Sequence, residues 1–210
     1  MTAGQRLVAD DGYEVLLFPL EYMYISQGEG GSTSHEGTLN IDFIGWDSNG
    51  RVYDCPMYAP CSLKCVAILS AQNNGRVYQS LNKVHTPNGL QYICFILMHD
   101  ENPPAVNDTF TQGQLFAHTG NYGQSTGDHT HINGADGAYV GWHTTFGHLQ
   151  LDNTTHLYDL FYINDTVIIQ DYGYNWKEYQ GGNIPSNYKH HFKFVLYAEK
   201  LRKKHNLKNK

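Results

Sequence analysis

Apolar and polar residues alternate in short bursts along this chain, and helical spacing is nearly absent. Runs rich in β-branched and aromatic residues stand at 14–18 (EVLLF), 39–45 (LNIDFIG), 64–70 (KCVAILS), 75–80 (GRVYQS), 91–98 (QYICFILM), 114–118 (QLFAH), 166–170 (TVIIQ) and 191–198 (HFKFVLYA). Such runs read as strands, because branched and ring side chains pack well on a pleated surface. Asn-Gly pairs fall between runs at 49–50, 74–75 and 88–89. Both residues accept positive φ, so each pair predicts a type I′ hairpin turn. The segment SQGEGGSTS at 26–34 reads as a flexible loop ending against His35. Only the last dozen residues favour a helix, and no repeat or long linker divides the chain. The pattern predicts an all-β, mainly antiparallel single domain over 1–198, with a C-terminal extension at 136–198 and a tail at 199–210.

Composition agrees with a folded domain. The 210 residues are 40% hydrophobic and 16% charged, enough apolar surface for one sizeable core and too little charge for a disordered chain. The longest apolar run, YICFILM at 92–98, falls well short of the roughly 20 residues of a membrane-spanning helix. The sequence MTAGQRLVADDGYEV at the start lacks the basic segment and apolar stretch of a signal peptide. Six of the 14 Lys and Arg residues lie in KLRKKHNLKNK at the end, leaving the remainder strongly acidic. That tail reads as a solvated, frayed end, with a tether to an anionic polymer as the alternative; no nucleic-acid partner is expected. Cys55, Cys61, Cys65 and Cys94 lack a zinc-site spacing and are too few for a disulfide scaffold, so they read as free core thiols.

Candidate chemistry begins with GDHTHIN at 127–133. On a strand, residues i and i+2 share a face roughly 6.5–7 Å apart, so His129 and His131 look into the same space. One can hold a metal ion while the other reaches over whatever the metal carries. Asp42 interrupts an apolar strand, where a carboxylate is costly to bury unless it is paired or metal-bound; the competing reading is an edge aspartate facing solvent. His35, seven residues earlier at the end of the Gly/Ser loop, can fold back towards it. Two imidazoles and a carboxylate are a catalytic type of zinc set, with a fourth position left open. His99 ends the run FILM, a place where a side chain is held at the rim of a cleft; a surface turn before Pro103-Pro104 is the alternative.

Taken in order, SHEGTLNID, YAPCSLKCVAI, YICFILMHD and FTQGQLFAHTGNYGQSTGDHTHI resemble the lysostaphin/LytM-type zinc metalloendopeptidases over about residues 26–135. The resemblance implies a sheet-floored groove and Zn²⁺ held by His35, Asp42 and His131. His99 and His129 would then act on the substrate, a peptide of bacterial peptidoglycan in its stem or cross-bridge. The stretch 136–198 is similar, less specifically, to the region C-terminal to this motif in phage lysins and tail-associated wall hydrolases. That implies delivery to the host wall by a phage, in a virion tail or at lysis, with other tail proteins among its partners. Two features depart from the pattern. Six residues separate His35 from Asp42 where many relatives have three, and no wall-binding module is evident. His143, His148, His156, His190 and His191 read as ordinary surface histidines. An inactive tail scaffold and a Tyr-rich carbohydrate-binding β-sandwich are the competing functional readings.

Overall fold

A computed structural model describes residues 1–162 together with the backbone of the strand Val167–Gln170. The strand expected at 191–198, the C-terminal helix, His190 and His191 lie outside the described residues. In chain order the strands are β1 (Tyr22–Gln27), β2 (Ile41–Ile44), the hairpin β3 (Trp46–Asp47) and β4 (Gly50–Arg51), and β5 (Pro56–Tyr58). Then come β6 (Leu63–Ser70), β7 (Gly75–Ser80), β8 (Val84–Thr86), β9 (Gly89–Gln91) and β10 (Ile93–Met98). They are followed by β11 (Thr109–Phe110), β12 (Leu115–His118), β13 (Thr130–Asp136), the hairpin β14 (Trp142–Thr145) and β15 (His148–Leu151), and β16 (Thr154–Thr155). A single helical turn, α1 (Leu157–Leu160), precedes β17 (Val167–Gln170).

Among the described residues one nine-stranded sheet dominates, in the order β11-β6-β7-β10-β13-β2-β1-β17, with β16 added to β13. Its pairings are antiparallel except for the parallel β1–β17 edge. The expected all-β, mainly antiparallel class is therefore the observed one.

All three Asn-Gly sites make hairpins, but by a different turn from the one expected. In β3–β4 and β8–β9 only the glycine has positive φ, 116° at both Gly50 and Gly89, and in β6–β7 only Asn74 does, at 52°. Asn49 and Asn88 keep an ordinary backbone, and the glycine after each carries the reversal.

A second expectation fails at 14–18. This segment forms only isolated bridges, to Val8, His85 and Tyr162. Leu16 and Phe18 enter the main core while Val15 and Leu17 enter a smaller cluster with Met1, Leu7 and Tyr162. A chain threaded between two apolar clusters buries both of its sides, so its continuous hydrophobicity reflects burial without ladder pairing. Segment 26–34 also differs: Ser26 and Gln27 complete β1, and the turns beyond are closed by hydrogen bonds from Gly30 N–H to Thr38 O and from His35 N–H to Gly31 O.

Strict alternation divides the central strands between two faces. Ile41 and Phe43 of β2, Ile93, Phe95 and Leu97 of β10, and Ile132 of β13 join the main core, where Phe18 meets Phe43 edge-on at 4.9 Å and Phe161 packs on Phe95. Each such side chain contributes about 1.5–3 kcal/mol by leaving water. The opposite face starts with a smaller cluster of Val77, Cys94, Ile96, Met98, Ala135 and Leu151. The β14–β15 hairpin is pinned over it: Leu151 N–H donates to Asn133 Oδ1 and Asn40 Nδ2 donates to Leu149 O. All four cysteines are buried and unbridged, as free core thiols should be; burial pushes the Cys94 thiol up to about 12.

Candidate metal centre

The hairpin covers only part of this second face, and beside it an open groove of about 1510 Å³ runs across the sheet. Asp42 of β2 and His131 of β13 are register partners in neighbouring strands, and Met98 of β10 faces His131 from the other side. Both polar side chains therefore rise from the sheet at its centre, between strands whose opposite face is the aromatic core. His35 descends on them from the preceding loop and is completely buried.

Three atoms converge. His131 Nδ1 lies 3.0 Å from Asp42 Oδ1, His35 Nε2 lies 3.3 Å from the same oxygen, and the two ring nitrogens are 3.3 Å apart. His35 Nδ1 donates to the Gly28 carbonyl at 3.0 Å, which leaves the lone pair of the neutral ring on Nε2, aimed at the other two atoms. Three electron-rich atoms at this spacing call for a cation. Zinc–ligand bonds of about 2.0–2.1 Å in a tetrahedron put ligand atoms about 3.3 Å apart, close to the edges of this triangle. The donor set thus fits a zinc ion, with one tetrahedral position left over. Among the described residues this is the group of three or more His, Cys, Asp or Glu side chains close enough to share an ion.

Burial opposes charge on Asp42, but the neighbouring His131 and His35 rings outweigh it and hold the carboxyl far below the usual range. Burial also keeps His131 below the ordinary histidine value despite its carboxylate partner. Both shifts favour the ligand forms, an ionised carboxylate and a neutral imidazole. Behind the carboxylate, Gln27 Nε2 donates to Asp42 Oδ2 at 3.4 Å and to Ser34 Oγ at 2.7 Å, tying β1 and the loop to the ligand.

His99 and His129 form a second pair beside the triangle, with ring centroids 4.5 Å apart. His99 Nδ1 donates to Tyr122 O and His129 Nδ1 to Gly127 O. Each ring so presents Nε2, and that of His129 stands 3.7 Å from Asp42 Oδ1. Burial, reinforced by His129 and His131, drives His99 down to about 4, although its hydrogen bond to Tyr122 acts in the opposite sense. The backbone of His99 is strained, with φ of 78°, a region that costs a non-glycine residue of order 1 kcal/mol or more. Its neighbours hold it there: His99 N–H donates to Asn73 O, Tyr122 N–H donates to His99 O, and a Cβ on Gly120 would collide with the same carbonyl. Gly120 in turn exchanges two backbone hydrogen bonds with His129, so the two histidines share one scaffold.

All five residues named from sequence stand at one place. Those that sequence reasoning passed over are the ones that hold them. Asp128 fixes the turn before His129, accepting from Thr119 Oγ1 and from the Asp54 N–H, while its carbonyl accepts from Arg51 Nη2. His148, assigned to the surface, lines the groove, and His156 pairs with Glu29 at 2.7 Å. The only sequence signal for the supporting residues is polar alternation, Asn40 with Asp42 and His131 with Asn133, inside otherwise apolar strands.

No family model matches the chain. Morphogenesis protein 1 of Bacillus phage B103 is 36% identical over 169 residues, covering 79% of this chain; the chain spans 45% of that protein's length. Among solved structures, the catalytic domain of lysostaphin from Staphylococcus simulans, an antimicrobial peptidase, is similar at 20% identity with a TM-score of 0.37, covering 54% of this chain and 79% of that one. The catalytic domain of the prophage-encoded M23 protein EnpA from Enterococcus faecalis is similar at 16% identity and a TM-score of 0.39, covering 56% of this chain and 87% of that one. A zinc-containing peptidase from Vibrio cholerae is similar at 16% identity and a TM-score of 0.38, covering 62% of this chain and 43% of that one.

Proposed function

We propose that this chain is a zinc-dependent endopeptidase acting on the peptide portion of bacterial peptidoglycan, as the wall-opening part of a phage. The carrying observation is the His35–Asp42–His131 triangle, with edges of 3.0–3.3 Å, two of whose members, Asp42 and His131, line an open groove. Zinc bound there supplies Lewis acidity and an activated water nucleophile at neutral pH. His35, Asp42 and His131 hold the ion. The groove, lined by the 26–34 segment, the β14–β15 hairpin and residues 124–129, receives an extended peptide. His129, with Nδ1 committed to Gly127 O, turns Nε2 towards the triangle to take or return a proton. His99, with Nδ1 held by the Tyr122 carbonyl, offers an Nε2 lone pair at the same place. It can take a proton from the attacking water and, once it carries that proton, stabilise charge developing on the carbonyl oxygen or pass the proton to the leaving amine.

The phage setting rests on the kinship with a phage morphogenesis protein. That name also favours a second reading, in which the domain is a structural part of the particle and does no chemistry. One experiment separates the two. Purified protein is assayed for bound zinc and then incubated with purified cell walls. The enzyme reading expects about one zinc per chain and new free amino groups. Bound zinc without any release of amino groups favours the structural role, and release of reducing sugar ends overturns the peptidase assignment.

A further inference from the structure

We propose that Arg51 anchors a carboxylate of the bound peptide, making this groove selective for an acidic substrate; the inference rests on the peptidase reading above. Arg51 is the one Lys or Arg lining the groove among the described residues. It sits at the end of β4, solvent-exposed, with its guanidinium 4.7 Å above the Tyr53 ring and Nη2 donating to the Asp128 carbonyl at 2.8 Å. These two contacts fix its direction without neutralising it. The Asp128 carboxylate is already occupied by the Thr119 hydroxyl and the Asp54 N–H, and no ion pair to Arg51 occurs among the described residues. A positioned guanidinium with free donors and no counter-charge is a ready partner for a planar carboxylate, which it meets in bidentate fashion.

Its distance from the metal centre sets which residue of the peptide it reads. Along the groove face of β2, Asp42 is followed by Ile44, roughly 7 Å on. Gly45 then pairs with Val52, the neighbour of Arg51, through a hydrogen bond from Val52 N–H to Gly45 O. An extended peptide advances about 3.3–3.6 Å per residue, so the carboxylate belongs to a residue within about three positions of the bond cleaved. The rest of the groove is acidic or neutral, with Glu29, Asp42 and Asp128 on its lining. Arg51 is then the feature that lets a negatively charged peptide bind in one orientation.

The test uses two synthetic wall peptides that differ only in a free carboxylate against a carboxamide near the cleaved bond, offered to the zinc-loaded full chain. Wild type is expected to favour the carboxylate by about 10- to 100-fold, expressed in KM. Arg51→Gln should erase that preference, bringing the KM values of the two peptides together, and Arg51→Lys should restore part of it. Equal use of both peptides by wild type, or a preference that survives in Arg51→Gln, overturns the proposal. An equal loss on both peptides with lowered zinc content also overturns it, since Arg51 would then merely hold the Asp128 turn. If wild type cleaves neither peptide, the peptidase reading is what has failed. Calorimetric binding of the same two peptides then decides the Arg51 assignment by itself, by the same preference and the same variants.

Discussion

On β2, Ile41 and Phe43 point into the aromatic core, while Asp42 between them points into the groove; on β13, Ile132 and His131 divide in the same way. One face is sealed by rings and branched chains with no polar demand. The other is a floor on which polar atoms stand at fixed separations. The comparison shows what a sheet paired on both sides does for a candidate metal centre. Backbone ladders on both sides of β13 and a close-packed underside restrain Asp42 and His131 to the few tenths of an ångström that coordination tolerates. His35 comes from a loop, and it needs the Gly28 hydrogen bond to reach the same order.

Breaking the two faces should have separable consequences. The largest effect is expected from His131→Ala, which removes a ligand: zinc affinity should fall by more than the about 10–100-fold typical of losing an outer partner, and wall hydrolysis should vanish with it. Metal analysis after dialysis checks this, and full zinc retention would remove His131 from the ligand set. His129→Ala should lower turnover by about 10²–10⁴ while zinc remains bound. Loss of metal in that variant would mean that the two histidines have exchanged roles. Phe43→Ala acts on the other face of the same strand. It should cost about 3–5 kcal/mol of stability, read as a lower denaturation midpoint, with zinc stoichiometry preserved in the folded protein. If Phe43→Ala emptied the site while the fold persisted, the two faces would be coupled more tightly than their separate packing implies.

Sequence made the period-two face pairing legible, because His129 and His131 stand two apart across a single threonine. The strands at 64–70 and 75–80 were equally plain, since their alternation and the intervening Asn-Gly are local facts. The run at 14–18 misled because hydrophobicity records burial alone, and that segment is buried between two clusters without a ladder. Arg51, Gln27 and Asp128 could not be found in this way. Their roles come from partners 7 to 77 positions distant, brought close by the fold. Which ring nitrogen each histidine presents was also out of reach, because it is set by carbonyls of Gly28, Gly127 and Tyr122 that carry no sequence signature.

The smallest expected effect concerns the boundary between the two faces. His99 ends β10 just after Met98, whose side chain belongs to the cluster under the groove, and burial drives its imidazole down to about 4. In the unfolded chain it titrates near 6.5. Between those values the unfolded state binds the extra proton, so acid favours unfolding. His99 therefore contributes a stability loss that begins as pH drops through about 6.5 and is complete near 4. His99→Asn removes this proton difference while tolerating the left-handed backbone better than most residues. Measured in chelator, so that metal release adds nothing to the slope, the thermal midpoint of the variant should decline less between pH 7 and pH 4 than that of wild type. His131, also shifted down by burial, supplies the same sign in both proteins and cancels in the comparison. Parallel declines would mean that His99 is open to water in solution, and that the rim of the groove is looser than the floor on which the triangle stands.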